Sequence, residues 1–343
     1  MKKLLNQLLL AALILSTDSC DKNYDYQGHS HRIVHVVGFQ YAADTPETET
    51  DTAKYWKNGI GIDITGGHTN ADASSVFVAS HDVYIAGYEG SNSFSTMAMY
   101  WKNGIPVTLS SNPGSGNSIF VSGHDVYVAG SEMKDGGGNH IAKYWKNSVA
   151  VNLTDGTNGA IASSIFIEGH SVYVAGTEYS GANSVAKYWK DGVAINLTDG
   201  SHSASANSIF VTHGDVYVAG VVSNGTNDVA VYWKNGVIAN LTNGNYYAQA
   251  VSILVSGGDV YVAGSEISAT DYKAKYWKNG IVVNLSNNPS SAQSVFVVGH
   301  DVYVAGSERI GSLYTAKYWK NGISINLTDG TNRAQANSIF VEN

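Results

Sequence analysis

The chain has 343 residues, of which 43% are hydrophobic and 14% charged, with 37 Gly, 4 Pro and 1 Cys. This composition excludes a disordered chain, a collagen-like chain and a small disulfide-stabilised domain. The 20 Lys and Arg residues against 28 Asp and Glu leave a formal net charge of -8, so the chain lacks the basic surface that a nucleic-acid backbone requires. We therefore expect no nucleic-acid partner.

The first predicted element is a secretory signal peptide over residues 1–19. Lys2 and Lys3 precede an apolar run from Leu8 to Leu15, and small residues follow the run. A run of this length is too short to cross a bilayer as a helix but is typical of a cleaved export signal. We therefore predict an exported protein.

Cys20 follows the signal peptide and is the only cysteine, so it has no disulfide partner. The sequence before it resembles the lipobox of bacterial lipoproteins, in which the cysteine is lipidated and becomes the mature N-terminus. The resemblance implies lipidation at Cys20, a polar tether over residues 20–31, and the membrane as a partner through the lipid. The expected location is the bacterial cell envelope, at the outer membrane or cell surface. Ordinary signal-peptide cleavage without lipidation is the alternative.

Seven copies of one unit follow the tether. Every tryptophan lies in the same Tyr-Trp-Lys motif or a close variant, and the steps between them are 45, 44, 44, 44, 44 and 42 residues. Three further signatures recur with each tryptophan: Ser-Ile-Phe-Val, Val-Tyr-Val-Ala-Gly and Ile-Asn-Leu-Thr. A period in this range indicates the blades of a propeller or the coils of a solenoid. The tryptophans are Trp56, Trp101, Trp145, Trp189, Trp233, Trp277 and Trp319.

Each signature is a short β-branched or aromatic run bounded by Gly, Asn, Asp or Ser, which predicts four strands in every unit. Asn-Gly after most tryptophan strands predicts a two-residue type I′ hairpin, as at Asn235-Gly236. Triplets such as Gly123-His124-Asp125 join the first two strands equally tightly. Consecutive hairpins favour antiparallel blades over the parallel coils of a solenoid.

The two chain ends predict how the ring closes. The repeats begin with a second strand, at Ile33 to Gly38, and end with a first strand, at Ser338 to Val341. Seven complete sets therefore require that the last strand pair with the first three. We predict an all-β fold: one seven-bladed β-propeller of four-stranded antiparallel blades over residues 32–343, closed by the C-terminal strand. We expect it to be a monomer.

A family resemblance accompanies this pattern. The run over residues 304–339, from Val-Ala-Gly-Ser-Glu through Ala-Lys-Tyr-Trp-Lys-Asn-Gly-Ile and Asn-Leu-Thr-Asp-Gly to Ala-Asn-Ser-Ile, resembles the extracellular repeats called HAF and, more distantly, kelch repeats. The resemblance covers residues 32 to 343 and implies a secreted propeller without a defined activity. The double glycine that follows the second strand of kelch repeats is absent, so kelch partner binding is not implied.

The aromatic residues of the third strand have two interpretations. Tyr188 and Trp189 would point to opposite faces of the sheet, each packing against a neighbouring blade. The alternative is a ring of sugar-stacking sites between blades. We favour packing, because stacking requires an exposed ring and these residues lie in the middle of a strand.

Carboxylates recur at one end of the predicted blades, where the loops after strands two and four emerge together. A negative face formed in this way would attract a cation or a basic partner. The alternative is that each Glu pairs with an amide or a Lys of its own blade. Loops between strands two and three vary most in length, so we predict that this face binds the ligand. The candidate ligand-binding residues are Glu89, Glu132, Glu178, Glu266, Glu308, Asp155, Asp199 and Asp329.

No catalytic residue, metal or cofactor is predicted. The sequence has no Gly-x-Ser-x-Gly, His-Glu-x-x-His or phosphate-loop motif. Five of the 11 histidines, such as His124 and His300, fall in one turn of the unit and would be spread around the ring. The expected function is an envelope lipoprotein that serves as a scaffold for a glycan or protein through one propeller face. A structural envelope component and a polysaccharide lyase or glycosidase are the alternatives.

Overall fold

The computed structural model describes residues 32–41, 51–66, 69–92, 95–135, 137–268 and 270–342. Its regular structure consists of 28 strands in seven four-stranded antiparallel sheets. Within these ranges no helix has the length and apolar character needed to cross a bilayer. The predicted signal peptide, the tether and Cys20 lie outside the described residues.

Each sheet is a blade whose first strand contacts the first strands of both neighbouring blades, so these strands surround the central axis. The first strands are β4 (Asn70–Ala79), β8 (Gly114–Ser122), β12 (Ala160–Glu168), β16 (Ala204–Thr212), β20 (Ala248–Ser256), β24 (Ser290–Val298) and β28 (Ala334–Glu342). The second strands are β1 (Ile33–Tyr41), β5 (Asp82–Gly90), β9 (Asp125–Met133), β13 (Ser171–Ser180), β17 (Asp215–Ser223), β21 (Asp259–Ser268) and β25 (Asp301–Ile310).

The third strand of each blade carries the tryptophan motif, and the fourth is a short strand at the outer edge of the sheet. The third strands are β2 (Asp51–Lys57), β6 (Thr96–Lys102), β10 (His140–Lys146), β14 (Asn183–Lys190), β18 (Asp228–Lys234), β22 (Asp271–Lys278) and β26 (Leu313–Lys320). The fourth strands are β3 (Ile60–Asp63), β7 (Ile105–Thr108), β11 (Val149–Asn152), β15 (Val193–Asn196), β19 (Val237–Asn240), β23 (Ile281–Asn284) and β27 (Ile323–Asn326).

The C-terminal strand closes the ring, as predicted. Strand order in blade one is β28-β1-β2-β3, and β28 pairs antiparallel with β1 from Ile33↔Glu342 to Gln40↔Ala334. Blades two to seven then follow in chain order. The seven-bladed fold is confirmed, and its closure gives blade one the same four strands as the other six blades.

Tight turns define two ends of the disc. We call the end with the turns between strands one and two and between strands three and four the turn face, and the opposite end the loop face. In the Asn58-Gly59 turn φ is 52° and 82°, which is the type I′ geometry that the Asn-Gly pairs predicted. The loop face carries the connections between strands two and three and those between blades.

A bulge in the first strand explains the glycine of the second strand. Pairing of β4 with β5 shifts register between Ala73 and Ser75, and a Cβ added at Gly87 would lie 1.9 Å from the carbonyl oxygen of Asp72. Only glycine fits where that oxygen approaches so closely. The same clash occurs at Gly130 against Ser115, so the repeated Ala-Gly pair is a requirement of the bulge.

Two side-chain rings link the seven first strands. The serine of each Ser-Ile-Phe-Val signature accepts a hydrogen bond from a backbone N–H of the next blade, and the bond from Val76 N–H to Ser338 Oγ, at 3.2 Å, closes the cycle. Six phenylalanines face the axis, with 4.8–5.3 Å between the centroids of adjacent rings, and Leu254 takes the seventh position. The phenylalanines are Phe77, Phe120, Phe166, Phe210, Phe296 and Phe340.

The hydrophobic core lies between blades rather than within them. Trp56 packs in one cluster with Tyr303, Ala305 and Ala316 of the preceding blade. Tyr318 of that blade is partly buried against the same cluster. All seven tryptophans are only 1% exposed. The packing interpretation therefore holds, and truncating one of these side chains would cost about 3–5 kcal/mol.

One row of apolar side chains is not in the core. The first residue of every fourth strand, directly after the turn, is an aliphatic residue that is 57–73% exposed. Because they hold the same position in seven symmetric blades, these residues share one plane at the turn face. We call this set the aliphatic rim: Ile60, Ile105, Val149, Val193, Val237, Ile281 and Ile323.

Candidate ligand face

Four of the five predicted glutamates form ion pairs inside their own blades. Each carboxylate accepts a hydrogen bond from the lysine two residues before the tryptophan of its blade, and the Glu266–Lys275 contact measures 2.6 Å. The side chains of Glu132 and Lys143 are each only 8% exposed. The pairs are Glu132–Lys143, Glu178–Lys187, Glu266–Lys275 and Glu308–Lys317.

The environment of these pairs keeps the carboxylates ionised. Burial raises the pKa of Glu132, but the Lys143 ammonium and the backbone N–H groups of Asn112 and Ser111 outweigh burial and hold this pKa below its ordinary value. The pKa of Glu308 is lowered in the same way, against burial, by hydrogen bonds from Lys317 and Ser286. These hydrogen bonds attach the connection between two blades to the second strand, which carries the glutamate.

Glu89 has a different neighbour. It accepts a hydrogen bond from Thr69 Oγ1 at 3.0 Å, and Met99 occupies the position of the paired lysine in that blade. Blade five replaces both partners at once, with Val222 and Val231. In blade one Gln40 stands at the Glu position.

The three aspartates shape the loops that connect the blades. Asp155 Oδ1 accepts a hydrogen bond from the N–H of Thr157 at 2.8 Å, and Asp199 and Asp329 cap the residue two positions on in the same way. These bonds lower the pKa of Asp155, mainly through the Thr157 amide. The three carboxylates remain at the solvent-exposed edge of the loop face. Ligand binding by the eight predicted carboxylates stays a prediction.

Charge is distributed unequally between the half of the disc nearer the loop face, which we call the loop half, and the half nearer the turn face, which we call the turn half. Among described residues the loop half has fourteen acidic and nine basic side chains, and the turn half has eight of each. The loop half contains Asp51, Asp63, Asp72, Glu89, Glu132, Asp135, Asp155, Glu178, Asp199, Asp228, Glu266, Asp271, Glu308, Asp329, Lys54, Lys134, Lys143, Lys187, Lys273, Lys275, Arg309, Lys317 and Arg333. The loop face is therefore negative, as its carboxylates predicted, even though many of them are paired.

Two exposed tyrosines lie in one row on the loop face of blade six. The N–H of Ile267 donates to the carbonyl of Tyr247 at 2.8 Å, and Ile267 pairs across the ladder with Tyr272. Tyr247 is 44% exposed and Tyr272 is 43% exposed. Residues paired across strands point to the same side of a sheet. Neighbouring strands are 4.7–4.9 Å apart, so the Cα atoms of the two tyrosines are about 10 Å apart. We call Tyr247, Ile267 and Tyr272 the tyrosine row.

A cleft lies on the other side of blade six from the tyrosine row, because Glu266 and Ile267 are successive residues of β21 and point to opposite faces of the sheet. It has a volume of about 330 Å³, lies between blades five and six, and is lined by Asn243, Glu266 and Lys275 among others. Asn243 lies in the connection 241–247, which ends at Tyr247, and its side chain accepts a hydrogen bond from the Asn245 N–H at 3.0 Å. Amide and charged groups thus line the side of blade six that faces blade five. The other lining residues are Asn240, Leu241, Thr242, Trp277 and Val282.

The tyrosine row was not predicted from the sequence, because the aromatic residues that recur are a different and largely buried set. The loop that contains Tyr247 does, however, depart from the repeat. Residues 243–247 are Asn-Gly-Asn-Tyr-Tyr, whereas the equivalent residues 155–159 are Asp-Gly-Thr-Asn-Gly. A surface loop that departs from its six equivalents is a better indicator of binding than a position filled identically in every blade.

The junction of blades one and two contains a second departure. Asp72 occupies a first-strand position that is Ser, Ile or Gln in the other blades, and it accepts a hydrogen bond from Asn337 Nδ2 at 2.7 Å. Burial, and then the nearby negative charge of Asp51, raise the pKa of Asp72 to about 7. The same surroundings raise the pKa of Tyr88, the residue paired with Asp72 across the ladder. The Asp72 carboxyl group therefore titrates near neutral pH.

The turn histidines are spread around the opposite face. His81 and His213 adopt positive φ, at 69° and 54°, in the turns between strands one and two. In the described ranges no group of three or more His, Cys, Asp or Glu side chains is arranged to hold a metal ion.

Comparison with known proteins identifies the fold. No protein-family model and no curated protein matches the chain. Among solved structures, a puromycin-hydrolyzing peptidase of Mycobacterium tuberculosis is similar with a TM-score of 0.57 at 10% identity, over 85% of this chain and 53% of the peptidase. The acylaminoacyl peptidase of Pyrococcus horikoshii is similar with a TM-score of 0.51 at 10% identity, over 87% of this chain and 50% of that one.

A third similar structure is TolB of Acinetobacter baumannii, with a TM-score of 0.50 at 13% identity, over 94% of this chain and 85% of TolB. The chain spans about half the length of the two peptidases. At such identities the likeness concerns the propeller alone, because one fold serves many unrelated activities. The function must therefore be argued from the loop face.

Proposed function

We propose that this protein is a lipid-anchored component of the bacterial cell envelope that binds a glycan or a protein through the loop face of its propeller. The observation that carries the proposal is the tyrosine row. Repeated aromatic residues are buried between blades, whereas Tyr247 and Tyr272 expose nearly half of their surface. Exposed, rigid aromatic rings with a polar tip are typical of binding surfaces.

The chemistry of the row favours a glycan. The apolar C–H face of a sugar packs on an aromatic ring, and two rings about 10 Å apart suit two sugar residues of one chain. The two tyrosine hydroxyl groups, and the side chains of Asn243 and Asn245 in the same connection as Tyr247, provide donors and acceptors on the loop face. The negative loop face disfavours an acidic polysaccharide, so the preferred ligand is neutral or basic.

The predicted carboxylates have a place in this proposal. Glu89, Asp155, Asp199 and Asp329 lack a lysine partner of the kind that Glu132, Glu178, Glu266 and Glu308 have, so they are the members of the set that remain for a basic group of the ligand. The HAF resemblance is compatible with such a role, since it implies an extracellular propeller.

Binding is tested with a glycan array and with a pull-down from envelope extracts. Replacing Tyr247 and Tyr272 by Ala should weaken binding about fivefold or more, because each stacked ring contributes about 0.5–1.5 kcal/mol. Tyr179→Ala removes a similarly exposed tyrosine from blade four and is the matched control. Undiminished binding by the double variant would move the site away from blade six. Failure of the unaltered protein to bind any glycan or protein would favour a structural role in the envelope.

The anchor has its own test. Cys20→Ala should move the protein from the membrane fraction to the soluble fraction, because a lipidated cysteine is the proposed attachment. Unchanged fractionation, with no acyl mass on the mature N-terminus, would leave ordinary signal cleavage as the explanation.

The Asp51 and Asp72 pair favours one second candidate, a polysaccharide hydrolase. Glycosidases use two carboxyl groups whose pKa values are pushed apart, and Asp72 has a raised pKa beside Asp51. Release of reducing ends from polysaccharides that bind, and its loss in Asp72→Asn, would support this candidate. Turnover that is absent or unaffected by the substitution would remove it.

A further inference from the structure

The aliphatic rim is an exposed apolar feature that neither the fold nor the loop face explains. Single apolar side chains on a surface are normal. Here, however, one position is aliphatic in all seven blades while 57–73% exposed, and Ile238 and Val282 widen the rim in blades five and six, at 49% and 47% exposed. We propose that the rim rests in the headgroup region of the bilayer that holds the Cys20 lipid, so that the turn face lies against the membrane and the loop face points away. This inference rests on the proposed lipid anchor.

The chain that leads to Cys20 starts at the turn face. Arg32 forms an ion pair of 2.6 Å with Asp301, a residue at the turn-face end of β25, and β1 then begins at Ile33 beside Glu342. The described chain therefore begins on the side of the propeller on which the rim lies. A lipid on this segment brings the turn face to the bilayer first.

The length of that chain opposes the inverted orientation. Eleven residues separate Cys20 from Arg32, and a fully extended chain of this length reaches about 40 Å. To place the loop face on the membrane, the chain would have to pass the two outer strands of blade one and then follow the full height of a nine-residue strand. That path alone is about 40 Å. No length would remain to bring the lipid beneath the loop face.

Charge favours the same orientation. The acidic and basic side chains of the turn half are equal in number, whereas the loop half has an excess of acidic ones. Anionic lipids repel a negative face. Each rim residue also has a lysine as its partner across the hairpin, as Ile281 has Lys278 and Val237 has Lys234. An aliphatic side chain beside an ammonium group suits the boundary between acyl chains and phosphates.

Position relative to the bilayer is measured with one label on each face of blade five. Cys20 is the only cysteine and is blocked by its lipid, so a cysteine introduced at Val237 on the rim, or at Thr226 on the loop face, is the single reactive thiol. The lipidated full-length protein is placed in vesicles of phosphatidylethanolamine and phosphatidylglycerol that contain brominated lipid. We expect the label in Val237→Cys to be quenched at least about threefold more than the label in Thr226→Cys.

Removing the rim tests its contribution. In the Val237→Cys background, Ile60→Ser, Ile281→Ser and Ile323→Ser together should reduce quenching at least about twofold, while Tyr246→Ser on the loop face leaves it unchanged. Circular dichroism melting of each variant verifies that the propeller is folded. Equal quenching of both labels, or quenching that survives loss of the rim, overturns the proposal. Absence of an acyl group on Cys20 overturns the anchor and this orientation with it, whereas loss of glycan binding in the Tyr247 and Tyr272 variants affects only the proposed ligand site.

Discussion

Blades three to seven differ from blades one and two in how they depart from the repeat. In blade five a valine pair, Val222 and Val231, replaces the glutamate and the lysine together. In blades one and two the changes are unmatched: Asp72 and His35 are ionisable groups that the other blades lack, and Glu89 keeps its carboxylate where Met99 replaces the lysine. Paired replacement preserves a packed interior, whereas an unmatched replacement introduces a titratable group. The comparison separates positions that maintain the scaffold from positions that give one part of it distinct chemistry.

The closing blade explains part of this difference. Blade one is built from both chain ends, and its first strand is attached to the other three only by pairing and packing. His35 takes the place of a tyrosine that all six other blades have in the second strand. Its Nδ1 lies 2.7 Å from Tyr55 Oη and its Nε2 lies 3.0 Å from Glu342, a residue of β28. The histidine therefore bridges the closing strand to the rest of the blade.

The largest effect is expected from removing the closing strand. Deleting residues 338–343 exposes two blade faces and removes Ile339, Phe340 and Val341 from packed positions, at a cost of more than about 5 kcal/mol. Thermal unfolding should show loss of the cooperative transition or a much lower Tm. Phe340→Leu is the matched control, because Leu254 holds that position in blade six, and it should cost only about 1 kcal/mol. An unaltered Tm in the deletion would contradict closure at this seam.

The ion pair of blade seven is expected to show the next largest effect. Lys317→Val leaves the Glu308 carboxylate buried without its cation and should lower the free energy of unfolding by about 3–5 kcal/mol. Adding Glu308→Val recreates the valine pair of blade five and should recover most of that loss. Urea unfolding measures both variants. A double variant that is no more stable than the single one would contradict the idea that a valine pair can replace the Glu308–Lys317 ion pair.

Asp72→Asn should stabilise the protein at neutral and higher pH. The pKa of Asp72 is raised to about 7, mainly by burial, so the folded state holds a proton that the unfolded state releases above its ordinary pKa near 3.8. Stability contributed by this proton is present at low pH and is lost as the pH rises from about 4 to 7. We expect a gain of roughly 1–3 kcal/mol at pH 8 and none at pH 4, measured by urea unfolding. Ser115→Asn alters the equivalent position of blade three and should show no such pH dependence.

His35→Tyr should produce the smallest effect, with the opposite dependence on pH. Burial lowers the pKa of His35, against the hydrogen bond and charge of Glu342, while Lys57 adds to the lowering. The folded state therefore binds a proton less readily than the unfolded state, and stability is lost as the pH falls below about 6.5. The His35→Tyr variant carries the residue that the other blades have at this position. Its free energy of unfolding should not show this loss, which is about 1 kcal/mol between pH 7 and pH 5. A variant with the same pH profile as the unaltered protein would show that His35 does not cause it.

Much of the architecture was predictable because its causes are local. Alternating apolar residues, the Asn-Gly turns and the tryptophan period specify strands, hairpins and blade number within about 44 residues. The closing strand was predictable from the order of signatures at the two chain ends. The face on which the carboxylates emerge was predictable too, since strands in a blade alternate in direction.

The directions and partners of individual side chains were decided by the tertiary structure. Glu308 and Lys317 meet diagonally across two strands, so their pairing depends on the register of β25 and β26. Tyr247 and Tyr272 come from a loop between blades and from a third strand, and only the ladder places them in one row. Asp72 acquires its raised pKa from burial beside Asn337, 265 residues away. Local pattern determined the blades of this protein, and contacts between distant residues decided which of its repeated positions are structural and which are free to bind.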